Sequence, residues 1–355
     1  MAEEVWMLQT KKADFKQIGA RFRIDPVTAR IIRNRGIEGE AAIDRYLNGT
    51  LDDLYDPMLL KDMERAVSIL CEAVDTGKKI RIVGDYDIDG VCSTYILLQA
   101  FERLGSDVDF EIPDRIKDGY GINESIIEQA HADGVEVILT CDNGISAFHQ
   151  VELAKKYGMT VVITDHHEVP LDGEKEKIPP ADAVIDPKQA DCPYPFPEIC
   201  GAVVAYKLVQ VLYARRGVPQ MEWLDLLEFA AIATVGDVMK LQDENRILVK
   251  YGLKKMAQTK NLGLRRLAEK NNLDLGAITA YHIGFVIGPC LNAGGRLKTA
   301  KEALALLRAQ SEEEAERLAE ELKELNDTRK DMTEQGTEAA KLQVESWYQK
   351  DKVLV

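Results

Sequence analysis

Five short runs of apolar, largely β-branched residues punctuate the first part of the chain, at 80–84, 108–113, 135–141, 160–164 and 183–185. Amphipathic stretches separate them. Strand-length runs alternating with helical patterns predict an α/β fold, a mostly parallel five-stranded sheet with flanking helices. Ahead of the sheet, residues 1–75 read as a helical N-terminal segment in which Asp25-Pro26 supplies a cap and first-turn proline and Gly36 a helix stop. Beyond residue 200 the second half turns helical, with apolar spacing over 201–213, 223–234, 248–256 and 303–307. Residues 311–350 read as one long charged linker helix, and 351–355 as the start of a strand that is cut off. The α/β domain and its helical continuation then span 76–310.

Each apolar run is followed at once by an aspartate: Asp85, Asp114, Asp142, Asp165 and Asp186. A parallel sheet sends all of them to one edge, where open α/β sheets bind ligands. Any single one has a default role as a helix cap or turn residue. Together they point to a shared polyanionic site. The densest stretch is Gly84-Asp85-Tyr86-Asp87-Ile88-Asp89-Gly90, which places alternating carboxylates between a strand and the helix that starts near Val91. Two carboxylates about 4 Å apart repel by roughly 4 kcal/mol at an effective dielectric near 20. A divalent cation reverses the sign of that interaction. The same stretch opens like an EF-hand loop, but Ile96 stands where that loop needs its closing glutamate, so the calcium reading fails. Asp87-Ile88-Asp89-Gly90-Val91 is also similar to the nucleophile motif of haloacid-dehalogenase-type phosphatases.

Further polar clusters sharpen the picture. Thr164-Asp165-His166-His167 sets two of the chain's 5 histidines side by side at a strand end. A mixed carboxylate and imidazole shell favours manganese or magnesium over structural zinc. Asp142-Asn143-Gly144 alone would be a turn; beside the other clusters it supplies a carboxylate able to bridge two cations. Asp237 follows an apolar helix, where a buried acid needs a partner. The segment 288–296, with Asn292 and Arg296, is either a phosphate-wrapping loop or a tight turn. No glycine-rich dinucleotide or phosphate-loop motif follows the first strand.

A net charge of −15 argues against broad electrostatic capture of nucleic acid. Arg21, Arg23, Arg30, Arg33 and Arg35 make the N-terminal part locally basic and read as a solvated helix face. No apolar run nears the ~20 residues needed to cross a bilayer, so no membrane role is expected. The 6 cysteines have no Cys-x-x-Cys or disulfide-like spacing, and the acidic N-terminus lacks a secretory signal. These features suggest a cytoplasmic protein.

The ordered motifs resemble the DHH phosphoesterase superfamily, named for the signature Asp165-His166-His167, and within it the RecJ-like single-strand-specific 5′-to-3′ exonucleases. The resemblance runs from Gly84-Asp85-Tyr86 through Pro113-Asp114-Arg115, Gly119-Tyr120-Gly121, Cys141-Asp142-Asn143-Gly144, Asp186-Pro187-Lys188-Gln189, Cys192-Pro193-Tyr194-Pro195-Phe196, Cys200-Gly201-Ala202 and Thr234-Val235-Gly236-Asp237 to Gly288-Pro289 with Leu291-Asn292-Ala293 and Gly295-Arg296. It covers residues from about 45 to 330 and removes the dehalogenase alternative.

The resemblance implies two Mn2+ or Mg2+ ions, one held by Asp87 and Asp142 and the other by Asp89, Asp142, His166 and Asp237. It places His167 at the scissile phosphate, Asp165 as the acid that orients the histidines, and Asp85 in an electrostatic or structural role. Arg115, Tyr120, Gly121, Asn143, Asn292 and Arg296 would receive the strand, with Arg296 on a terminal or scissile phosphate. The implied partner is single-stranded DNA, in repair and recombination, with a single-strand-binding protein and a helicase nearby. Two departures stand out: Cys290 occupies a place where the family usually has arginine, and Val238-Met239-Lys240-Leu241 lacks the usual proline. The truncated strand at 351–355 implies a DHH-associated domain beyond this chain. Competing readings are a smaller DHH phosphodiesterase for short oligoribonucleotides or cyclic dinucleotides, and a noncatalytic replication scaffold of the same fold.

Overall fold

The structure, a computed structural model, describes residues 11–115 and 121–347; Tyr120 and the expected strand at 351–355 lie outside them. All five apolar runs are strands: β1 Ile80–Val83, β2 Val108–Glu111, β3 Val137–Cys141, β4 Thr160–Thr164 and β5 Ala183–Ile185. They form one sheet in the order β2-β1-β3-β4-β5, and every neighbouring pair is parallel. Ile82 pairs with Phe110 on one side and Leu139 on the other, and Ile163 bridges Thr140 and Val184.

Helices cover both faces, which is why β3, β4 and β5 read as continuous apolar runs, whereas the edge strand β2, Val-Asp-Phe-Glu, alternates and is only half-buried. The pleat divides the side chains between two cores. Ile80, Ile82, Leu139, Cys141, Val162 and Ile185 face the larger one, with helices Met63–Asp75, Ile88–Arg103 and Gly201–Arg216. Val83, Ile138, Val161, Ile163 and Val184 face the smaller one, with helices Glu124–Ala132 and Phe148–Lys156. The chain passes from β1 to β2 on one side and then crosses to β3 on the other, so the topological switch point lies between β1 and β3. A ligand crevice is expected there.

The N-terminal helices enclose a separate small core around Ile32, Ile37 and Ile43. Asp25 caps the helix Pro26–Asn34, its Oδ1 accepting hydrogen bonds from the N–H groups of Val27 and Thr28 at 2.9 Å. The long helix Glu312–Trp347 sends Ala315, Leu318, Ala319 and Leu322 into the protein interior, and Leu318, Ala319 and Leu322 join the main core, so its first turns belong to the same body as the sheet. No helix among the described residues is long and apolar enough to cross a membrane.

One expectation is corrected. The segment 288–296 is neither a wrapping loop nor a turn: a π-helical turn Ile283–Ile287 runs directly into the α-helix Gly288–Leu297. Interior helical N–H groups bond the preceding turn and are not available to wrap a phosphate. Here glycine serves close approach, since a Cβ on Gly295 would collide with the backbone oxygen of Tyr86.

Candidate metal centre

The carboxyl ends of β1, β3 and β4 bring the acidic and histidine clusters together. Asp87 caps the helix Ile88–Arg103, its Oδ1 accepting from the N–H groups of Asp89 at 2.9 Å and Gly90 at 3.1 Å. Asp89 is fully buried in that first turn, and its two oxygens accept from the N–H groups of Gly201 at 2.6 Å and Ala202 at 2.7 Å. Those are the leading N–H groups of the helix Gly201–Arg216, whose positive end suits an anion. Asp142 follows β3 in the left-handed region at φ 61, and a Cβ on Gly201 would come within 2.7 Å of its Cβ. Only glycine lets that helix end approach so closely.

His166 Nε2 is the point of convergence, lying 3.0 Å from Asp142 Oδ1, 3.3 Å from Asp89 Oδ2 and 3.9 Å from Asp237 Oδ2. Metal-capable donor sets are Asp89 with His166 and Asp237, Asp142 with His166 and His167, and Asp85 with Asp87 and Asp142, each with ligand atoms within 4.8 Å of one another. Asp142 belongs to two of them, as a bridging ligand would. Asp165 holds the histidine pair in place: its Oδ1 lies 2.7 Å from His167 Nδ1 and accepts the His166 N–H at 2.7 Å, while Oδ2 accepts the Ile145 N–H at 2.9 Å.

The electrostatics call for a cation. Burial, then the charges of Asp89 and Asp87, pushes Asp142 well above the usual carboxylate range. Asp237 is pushed up to about 7 by burial and by Asp89 and Asp87, and it sits at the C-terminal end of the helix Leu227–Gly236, where the helix dipole also opposes negative charge. Burial, then Asp87, carries Asp85 to about 7. Burial holds His166 below its ordinary value, so its ring is a neutral donor. His167 behaves differently: burial pulls it down, but the hydrogen bond and charge of Asp165 prevail and raise it to about 8. Buried oxygen donors with one neutral imidazole fit a hard divalent cation.

Not every expected residue joins this centre in the same way. Asp114 belongs to none of the metal-capable groups found among the described residues. Asp186 Oδ1 accepts the Lys188 N–H at 2.8 Å, and its other oxygen is buried without a hydrogen-bond partner. Asn143 is fully buried; its amide donates to Val83 O at 3.0 Å and Cys141 O at 2.9 Å, and its oxygen accepts the Ile122 N–H at 3.3 Å. It ties β1, β3 and the 121–122 segment together. Gly121 donates its N–H to Asp85 Oδ1 at 3.4 Å and, with His167 and Asp165, lines a pocket of about 220 Å³.

A second pocket of about 270 Å³ opens beside the acids and is lined by Tyr86, Asp87, Arg115, Asp237, Asn292 and Arg296. Arg115 lies over the Tyr86 ring at 5.3 Å. Burial, then the charges of Arg329 and Arg115, lowers the pKa of Arg296, a sign of crowded cations. Arg329, on the long helix, donates from Nε and one terminal nitrogen to Asn326 Oδ1 at 3.2 and 3.0 Å, and Asn326 Nδ2 in turn meets Cys290 Sγ at 3.5 Å. Cys290 is thus buried against the long helix rather than exposed to the pocket. Sequence reasoning missed Arg329, one charge among many on that helix. It also gave no role to Lys188, whose charge reaches Asp237 and Asp186, although the residue stood inside a recognised cluster.

Residues 79–234 match the DHH family, N-terminal domain. The chain is 37% identical over 336 residues to the single-stranded-DNA-specific exonuclease RecJ of Bacillus subtilis, covering 94% of this chain and 41% of that protein. The Escherichia coli RecJ is 37% identical, covering 88% of this chain and 54% of the relative. The chain therefore spans about half the length of these curated relatives. A crystal structure of exonuclease RecJ bound to manganese superposes with a TM-score of 0.70 at 35% identity, over 78% of this chain and 68% of that one. RecJ from Thermus thermophilus in complex with Mn2+ gives 0.75 at 32% identity, over 90% of this chain and 44% of that one.

Proposed function

This chain belongs to the DHH family, on its RecJ branch, and from that premise we propose that it is the catalytic part of a two-metal exonuclease that hydrolyses single-stranded DNA from the 5′ end to 5′-mononucleotides. The observation that carries the reading is the approach of Asp89, Asp142 and Asp237 to one nitrogen of His166. Asp87 and Asp142 would hold one ion, and Asp89, Asp142, His166 and Asp237 the other, with Mn2+ or Mg2+ as the metal. Bound there, the ions would supply a water that ionises near neutral pH and would neutralise charge on the phosphate oxygens.

The protein's own groups set the geometry. Asp165 fixes the His167 ring through Nδ1, its charge favours the imidazolium, and His167 would stand at the scissile phosphate. A protonated His167 donates a hydrogen bond to a phosphate oxygen. Asp85 holds the Gly121 N–H and so the turn that lines the phosphate pocket. Asn292, Arg296 and Arg115 receive the strand in the second pocket, and Arg329 adds cationic charge behind Arg296. Asn143 acts as a strut of the site rather than as a substrate contact. Asp186 and Lys188 trim the charge at its edge.

Work in DNA repair and recombination, partnership with a single-strand-binding protein and a helicase, and a cytoplasmic setting belong to the same reading. So does the division into a helical segment over 1–75, the DHH domain over 76–310 and the linker helix over 311–350. The test is Mn2+-dependent release of mononucleotides from a labelled single strand by this chain and by Asp89→Ala and His166→Ala. Loss in both variants, with folding retained, supports the assignment. Activity retained in both refutes it.

A further inference from the structure

The face of the helical rod that carries Asn292 and Arg296 continues away from the metal centre into two exposed aromatic rings. Tyr281 is 64% exposed and Phe285 67%, and their rings stack at 4.7 Å between centroids with 26° between planes. The rod is continuous from the helix Ala280–His282 through the π turn Ile283–Ile287 to the helix Gly288–Leu297. Positions 281 and 285, and positions 292 and 296, are each four apart and so share a face within their own segment. The π turn between 281 and 292 breaks the 3.6-residue period, and the exposure of 281, 285 and 296, with 292 half-buried, keeps both pairs on the outer side of the rod. Burial agrees, since Ile283, Ile287, Cys290, Leu291 and Ala293 occupy the opposite, core-facing side.

The pair is held close to the site. Gly284 packs within 3.6 Å of Val235 Cγ1, measured from where its Cβ would stand, and Val235 lies on the helix that ends at Asp237. The rod's start is fixed by Thr279, whose N–H and hydroxyl both meet His282 Nδ1 at 3.1 Å. A π turn of this kind is rare in a helix and recurs at functional sites. Here it carries Phe285 itself and lies between Tyr281 and the phosphate-receiving groups.

We propose that Tyr281 and Phe285 form a stacking platform for bases of the bound single strand, while Asn292 and Arg296 on the same outer side take its phosphates. Building on the nuclease reading, this assigns the direction in which the strand leaves the metal centre. The occupant follows from the composition of that side: two flat rings are followed by an amide and a guanidinium. That sequence of groups matches the alternation of base faces and phosphates along a strand. A protein partner would call for a wider apolar patch, and polar groups bound this one on the side of the site.

The test uses the chain with Ca2+ present and an oligothymidylate carrying 2-aminopurine, whose fluorescence reports stacking. Wild-type protein should change that signal on binding. The double variant Tyr281→Ala with Phe285→Ala should lose the change and bind about tenfold more weakly or worse, given a stacking loss of about 1–3 kcal/mol per base. Tyr281→Phe should keep both. With Mn2+, the double variant should hydrolyse bis(p-nitrophenyl) phosphate, a diester without bases, at the wild-type kcat. An unchanged signal and affinity in the double variant, or no stacking signal in the wild type, overturns the platform even if the base-free diester is cleaved. Failure of the wild type to release mononucleotides from a labelled single strand with Mn2+ instead overturns the nuclease reading on which the platform rests.

Discussion

Nε2 of His166 lies 3.0 Å from Oδ1 of Asp142, across 24 residues of sequence, and both are buried. A neutral ring beside a carboxylate that is itself crowded by Asp87 and Asp89 marks a site that is unfavourable without a cation. Asp142→Asn keeps the shape and tolerates the left-handed backbone, as asparagine commonly does. Relief of repulsion worth roughly 4 kcal/mol per close carboxylate pair at most should raise the melting temperature of the metal-free chain. The same change should abolish the melting-temperature rise on adding Mn2+, and with it hydrolysis. Thermal melts in EDTA and in MnCl2 check both halves; a variant that still responds to Mn2+ like the wild type would sink the bridging role.

The metal-free chain should lose stability on balance as pH rises from about 4 to about 8, with His166, held below 6.5, acting the other way. Asp85, Asp186 and Asp237 ionise near pH 7 when folded but near the ordinary aspartate value of 3.8 when unfolded. Between those values the folded state binds more protons, so stability falls with rising pH. His167 acts in the same direction: raised from 6.5 to about 8, it contributes fully below pH 6.5, and that contribution is lost as pH passes 8. A saturating divalent cation binds the ionised carboxylates and should flatten or reverse the slope. A melting temperature that climbs with pH in EDTA would contradict these assignments.

Asn143→Ala should cost about 2–4 kcal/mol of unfolding free energy, because it strands the buried carbonyls of Val83 and Cys141 and the Ile122 N–H. Urea denaturation measures it. Normal stability with a raised KM would instead make Asn143 a substrate contact.

Arg329→Gln should weaken binding of single-stranded DNA and lower the slope of log affinity against log salt by about 0.7, the value of one phosphate contact on a single strand. Asn326→Ala, which frees the guanidinium from its bidentate anchor, should weaken binding in the same direction. Fluorescence anisotropy across a salt series separates this from a nonionic effect. An unaltered slope in Arg329→Gln would place Arg329 away from the strand.

Local pattern alone determined a good deal of this protein. The strands were legible because a run such as Val161-Val162-Ile163 is buried on both sides of a parallel sheet, but their ends were less so, the runs 80–84, 108–113 and 135–141 shortening to Ile80–Val83, Val108–Glu111 and Val137–Cys141. The convergence of Asp85, Asp142 and Asp165 followed from parallel direction, and Asp165-His166-His167 was conspicuous because histidine is scarce in this chain. Tertiary packing decided the rest. Glycine's poor helix propensity made 288–296 read as a loop, whereas the close approach of Gly295 to Tyr86 gives it a helical place. Asn143, offered as a substrate contact by the family resemblance, has its amide engaged by the ends of β1 and β3, a packing role that no local pattern shows. Arg329 drew no notice because a charge on an amphipathic helix is ordinary until a second helix brings Arg296 alongside. Periodicity records which side of an element is buried; which groups from distant elements then meet is fixed only when the elements pack.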